Sequence, residues 1–215
     1  MDVVDWGVID FDDAWQRQRE HADAILLQGA NDTLFLCEHP DVITLGRLTK
    51  EGSILTQRDI LQHRGVKVVE IDRGGEATVH NPGQLVGYPV FHLERTNPDL
   101  HWFLRTIEQC IISALGEFDL QGDRVEGRTG VWIEGQRKIC AIGIHCKKWV
   151  TTHGFALNVS NDLSLFNDII PCGITDKGVT SLENEVGHAV DMGTAKEVVA
   201  ASFNAAFAPF HVPTA

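Results

Sequence analysis

The sequence predicts a mixed α/β domain of α+β type, a largely antiparallel sheet packed with helices. Helical and strand-like hydrophobic periodicities intersperse along the whole chain instead of segregating. Several strand-like runs lie close enough for hairpins, which impose antiparallel pairing. The 215 residues are 43% hydrophobic, enough for one large core, and no repeat, low-complexity tract or linker divides them. Residues 1–215 therefore read as a single domain.

Residues 12–28 read as a helix, with Trp15, Ala22, Ile25 and Leu26 near helical spacing, Asp12 or Asp13 as cap and Gly29 as stop. Runs 33–37 and 42–45 are short and apolar, and read as strands. Thr56 opens a helix with Asp59 in the capping-box position and Gly65 just past its end; 66–71 then alternates as a strand. Asn97-Pro98 supplies a cap and a first-turn proline ahead of Leu100, Phe103, Leu104, Ile107, Ile111 and Leu115, the clearest helix. Runs 131–133 and 139–146 flank 134–138, where Gly135 gives turn flexibility, and form a hairpin. The strand-like character resumes over 150–159, and Thr194 with Glu197 forms a capping box opening a last helix.

Charge and cysteine content bound the function. The net charge of −12 repels nucleic acid and anionic membrane surfaces at long range, so neither is an expected partner. No apolar run approaches the roughly 18 residues of a spanning helix. The sign is uneven. Positions 121–148 carry six bases against three acids, leaving −15 for the remainder. Five scattered cysteines, an odd number with no CxxC pair, and an acidic start without a signal peptide point to the reducing cytoplasm.

Three segments have the residue types that carry chemistry. The first, 73–84 (RGGEATVHNPGQ), has Gly74, Gly75 and Gly83 for close backbone approach to a ligand and Arg73 and His80 as donors. It is also a plausible plain glycine turn, and it lacks the phosphate-loop order GxxxxGK[ST]. In the second, 127–146, Lys138 starts an apolar strand, either as a solvated strand-end charge or as a cation beside a nucleophile. The two-residue period puts Cys140 and Cys146 on its face as packing thiols, and His145 beside Cys146 makes no metal spacing. In the third, 169–174, Cys172 sits between proline and glycine, as a displayed thiol or a packed one. His153 in TTHGFALNV is either a base or a strand cap.

Together these segments resemble the octanoyl-[acyl-carrier-protein]–protein octanoyltransferases, or lipoyl (octanoyl) transferases. That family carries RGG-x-x-T-x-H-x-PGQ, K-I-x-x-[IL]-G, HG-x-ALN and PCG, found here in order at 73–84, 138–143, 153–158 and 171–173. Glu38-His39-Pro40, the run 44–47 and the VTSL run 179–182 add smaller matches. Asn81 stands where the family has glycine and Val79 where it has tyrosine, and the last 30 residues match weakly.

The resemblance implies the biotin and lipoate protein ligase fold. It implies transfer of octanoate from octanoyl-acyl carrier protein to a lysine of lipoyl domains, those of 2-oxoacid dehydrogenase complexes and of the glycine cleavage H protein. Cys172 matches the acyl-accepting cysteine and Lys138 its partner lysine. Arg73, Gly74, Gly75 and Glu76, then Ala77, Thr78, Val79 and His80, match the lining of the acyl thioester site. So do Ala141, Ile142 and Gly143 on one strand and Gly154, Phe155 and Ala156 on another. No metal or cofactor is expected. The rivals are an ATP-dependent lipoate or biotin ligase of the same fold, a thioesterase, and a non-catalytic lipoyl-domain binder. Because the carriers are acidic, Arg128, Arg137, Lys147 and Lys148 are expected to dock them beside the thiol.

Overall fold

The computed structural model describes residues 1–171 and 177–210. Cys172 lies outside the described residues, as does Gly173. The architecture is the expected mixed α/β one, dominated by antiparallel pairing. Its main sheet runs β1 (Asp2–Val8), β2 (Thr33–Glu38), β6 (Gln84–Val90), β10 (Val150–Asn158), β9 (Arg137–Lys147), β8 (Arg128–Ile133) and β7 (Gly122–Val125). The short β11 (Gly178–Val179) pairs with β9 as well, and the one-turn helix α4 (Leu182–Val186) follows it. A second sheet sets β3 (Val42–Leu45) between β4 (Lys67–Glu70) and β5 (Ala77–His80). Only β1–β2, β3–β4 and β11–β9 are parallel among the described strands.

Helices cover both faces of the main sheet. On one face α3 (Leu100–Gly116) and α5 (Met192–Phe207) bury Phe103, Ile107, Phe203 and Phe207 against Leu85, Ile139 and Leu157. Each such side chain contributes about 1.5–3 kcal/mol. On the other face α1 (Phe11–Gln28) sets Ala14 and Ile25 against Val86, Tyr88 and Ala156. The second sheet has its own core, Ile43, Leu61, Ala77, Val79 and Phe166, closed by α2 (Arg58–His63). No helix among the described residues is long and apolar enough to cross a membrane.

Helix starts correct the sequence reading in a consistent way. Asp10, Asp99 and Asp191 accept backbone N–H bonds at the first turns of α1, α3 and α5. Asp12, Asn97 and Thr194 are not the caps. Thr194 is the third residue of its helix and donates its N–H to Asp191. Helix α2 begins after Gln57 without a side-chain cap, because the Thr56 hydroxyl is spent 2.6 Å from Asp168 Oδ1 instead. The β8–β9 hairpin is as expected, with Glu134 at φ 52° and Gly135 at φ 63° making the turn.

A bulge changes the facing of Lys138. Val131 pairs with Cys140 while Trp132 pairs with Lys138, so one extra residue sits in β9 between those pairs. The two-residue period therefore breaks. Cys140 packs in the α3/α5 core with Leu157, whereas Lys138 turns to the opposite face beside Ala141. Cys140 and Lys138 do not share a face.

Candidate active site

A cavity of about 230 Å³ opens between the two sheets and the start of α1. It is smaller than the roughly 300–1,000 Å³ typical of drug-sized pockets, a size suited to a slender chain. Small residues make its floor, with Ala141 paired to Ala156 and Gly143 to Gly154 across β9 and β10. Gly143 is needed for close approach, since a Cβ there would lie 2.7 Å from the Gly74 carbonyl oxygen and 3.1 Å from Arg73 Cδ. Ile142 and Phe155 complete this side.

The RGG loop forms the opposite wall. Gly75 takes φ 86°, which glycine adopts without strain. Gly74 N–H donates to the Ile144 carbonyl at 2.9 Å, and Leu48 N–H donates to the Gly75 carbonyl at 3.0 Å. The buried Arg73 guanidinium donates to the Thr44 carbonyl at 3.0 Å, the Thr44 hydroxyl at 2.9 Å and the Gly74 carbonyl at 3.0 Å. Arg73 thus ties the loop to β3 while lining the cavity. Glu76, Thr78 and His80 line it too. Ala77 and Val79 do not; the strand alternation turns both into the core of the second sheet.

Lys138 is buried, 7% exposed, on the cavity wall. Its Nζ donates to the Thr129 carbonyl at 3.2 Å and lies 4.7 Å from the centre of the Trp132 ring. No carboxylate among the described residues forms an ion pair with it. A smaller cavity of about 10 Å³ continues from Lys138 past Gln84 and Asn158 to Pro171. Chain on the far side of the undescribed stretch returns to the same place, for Val179 pairs with Lys138 and Thr180 N–H donates to its carbonyl.

Two histidines flank the cavity. Burial, reinforced by neighbouring His39, pushes the His80 pKa down to about 3. Phe11 stacks over its ring at 5.9 Å. His153 takes a left-handed φ of 58° inside β10, a conformation costing about 1–3 kcal/mol. Its backbone N–H donates 2.7 Å to Gln18 Oε1 of α1, and its ring Nε2 bonds Asp72 Oδ1 at 2.7 Å. That bond holds the Asp72 carboxyl below its usual range, while burial pushes the His153 pKa down. Asp72 directly precedes the RGG loop, so the pair ties the loop to β10. Neither Asp72 nor Gln84 stood out in the sequence; Gln84 was visible only as the end of PGQ.

Four cysteines are described. Burial raises the thiol pKa of Cys37, Cys110, Cys140 and Cys146, as packing thiols require. The basic docking surface is not continuous. Arg137 is engaged by Glu134 and Glu185 at 2.8 Å each. Lys147 and Lys148 stand at the β9–β10 turn, nine residues along the strand from Lys138 or roughly 30 Å. They do not lie beside Lys138, whereas Arg128 lines the cavity.

The cavity walled by two sheets, with a buried lysine on its side, marks the candidate site, and comparison with known proteins gives the family. The family described as "Lipoyl protein ligase A/B catalytic domain" matches residues 10–204, and the chain belongs to it. An octanoyltransferase of Cytophaga hutchinsonii is 42% identical over 223 residues, covering 95% of this chain and 91% of that protein. Among solved structures, a lipoate-protein ligase A bound with ATP superposes with TM-score 0.78 at 16% identity, covering 96% of this chain and 85% of that one. The biotin protein ligase of Aquifex aeolicus gives TM-score 0.56 at 13% identity, covering 98% and 70%. At such identities the structural likeness speaks for the fold.

Proposed function

We propose that the chain is an acyltransferase that moves octanoate from octanoyl-acyl carrier protein to a lysine of lipoyl domains through a thioester on Cys172. The supporting observation is the buried Lys138 ammonium without a carboxylate partner among the described residues, facing a cavity that runs on to Pro171, next to Cys172 in sequence. A burial of this kind is costly unless an anion joins it. A Cys172 thiolate is that anion.

The chemistry follows from the residue types. A free thiol has a pKa of about 8.5 and is only slightly ionised at neutral pH. An ammonium within about 4–6 Å favours the thiolate, at about 1.4 kcal/mol per pKa unit. The thiolate attacks the donor thioester, the donor C–S bond breaks, and the carrier sulfur leaves with the proton that Lys138 took from Cys172; the acyl group stays a thioester, so the exchange is nearly balanced. The lysine amine of the lipoyl domain then attacks, the C–N bond forms as the C–S bond breaks, and amide formation supplies direction. Lys138 moves the proton from nitrogen to sulfur. Ala141, Gly143, Gly154 and Ala156 leave room for the chain, and Gly75 lets the RGG-loop backbone come close to the developing oxyanion. Lipoyl domains of 2-oxoacid dehydrogenase complexes and the glycine cleavage H protein are the acceptors, and the reaction belongs in the cytoplasm.

The rival is an ATP-dependent ligase of the same fold. Identity of 42% to an octanoyltransferase over nearly the whole chain favours transfer. Mixing the protein with octanoyl-acyl carrier protein and a lipoyl domain, without ATP, should give the octanoyl amide. Product only from free octanoate plus ATP would select the ligase.

A further inference from the structure

The tautomer of His80 is fixed by its neighbours. The Gln84 side-chain amide donates to the Val79 carbonyl at 3.1 Å and to Asn158 Oδ1 at 2.9 Å. A backbone carbonyl only accepts, so this end of Gln84 is the NH₂ group. Asn158 is oriented independently, because its Nδ2 donates to the Thr180 carbonyl at 2.9 Å and leaves Oδ1 facing Gln84. The remaining atom, Gln84 Oε1, lies 2.8 Å from His80 Nδ1. An amide oxygen has no proton to give. Nδ1 therefore carries the ring hydrogen, and Nε2 presents a bare lone pair.

That lone pair has no hydrogen-bond partner among the described residues, although His80 is only 7% exposed and lines the cavity. The low pKa keeps the ring neutral, an acceptor rather than a cation. Gln84, its anchor, shares the smaller cavity with Lys138. Something with an N–H or O–H belongs opposite Nε2. The octanoyl chain and the thioester group bring no donor, and the carrier's nearest N–H stands two methylenes beyond the sulfur; the attacking amine brings its N–H to the thioester carbon itself.

We infer that His80 Nε2 accepts a hydrogen bond from the incoming lysine amine and so aims the nitrogen lone pair at the thioester carbon. This rests on the transferase reading. The neutral amine forms the C–N bond with its own pair, the C–S pair leaves on the Cys172 sulfur, and one nitrogen proton reaches that sulfur through Lys138. His80 keeps no proton. It holds a second N–H in place during the attack and takes up part of the positive charge growing on nitrogen.

Separating the half-reactions tests the role. His80→Ala and His80→Asn, each checked by thermal melting, are charged with octanoyl-acyl carrier protein and followed by intact mass, then chased with a lipoyl domain. The expected result is acyl-enzyme formation close to wild type and a chase slower by roughly tenfold to a hundredfold. Equal losses in both halves, or a loss confined to charging, would overturn the assignment; the latter would place Nε2 on the carrier's pantetheine amide. In the free protein, a ¹⁵N-histidine spectrum should show Nδ1–H with bare Nε2 at neutral pH. An Nε2–H tautomer overturns the inference even if charging succeeds. Failure of the wild type to form any adduct would instead refute the transferase reading.

Discussion

Lys138 shows how burial sharpens a residue that the sequence leaves ambiguous. As a strand-start lysine it reads more readily as solvated, and the bulge in β9 turns it into the cavity. Lys138→Ala is expected to slow acyl-enzyme formation by roughly a hundredfold or more, measured by quenched mass spectrometry. Lys138→Arg keeps a charge but cannot give up its proton, so it should charge better than Lys138→Ala yet stall in the chase. His80 makes a separate prediction about stability. Its pKa is about 3 in the fold against 6.5 when unfolded, so the neutral form is favoured natively. That contribution is complete above pH 6.5 and is lost as pH falls toward 3. Between pH 6.5 and 5 the loss is about 2 kcal/mol, with His39 and His153 acting in the same direction. Asp72 and Asp168, held low by their partners, add their loss only at more acid pH. Urea melts from pH 7 to 5 should show this decline, and His80→Asn should flatten it.

Among the elements, those with strong periodicity or a forced turn were legible in the sequence. Helix α3 and the β8–β9 hairpin announce themselves through Phe103, Ile107 and Ile111 and through Gly135. Strand β1 does not, because it is an edge strand with Val3, Val4 and Val8 exposed and carries no alternation of burial. The caps lie a few residues from the sequence reading because several Asp, Asn and Thr residues compete at each start, and Asp10 and Asp99 are the ones whose carboxylates reach first-turn N–H groups. The glycine and small-residue positions of β9 and β10 were legible as motif letters, whereas their purpose needed the sheet register. That register predicts that Gly143→Ala pushes the RGG loop off the floor. Steady-state kinetics should show a donor KM raised severalfold with the protein still folded, since only a few atoms must shift.

For the whole molecule, the −12 charge sets a problem of approach. Acidic carriers must come near an acidic enzyme, and the basic stretch proposed from sequence is divided, with Arg137 neutralised and the Lys147-Lys148 turn remote. Reversing Lys147 and Lys148 should leave the donor KM unchanged. Arg47 and Lys50 are exposed on the loop that brings Leu48 to the cavity, and no salt bridge engages them among the described residues. Reversing these two should raise the donor KM at low ionic strength, with the effect shrinking as salt is added. The fold class was readable from interspersed periodicities, but which charges face the site depends on strand lengths and bulges that no composition reports. The central claim, a covalent acyl-enzyme on Cys172, is tested most directly by intact mass after incubation with octanoyl-acyl carrier protein alone. The expected result is one octanoyl group added to the wild type and none to Cys172→Ala. An unmodified wild type, or an adduct that persists in Cys172→Ala, would contradict it.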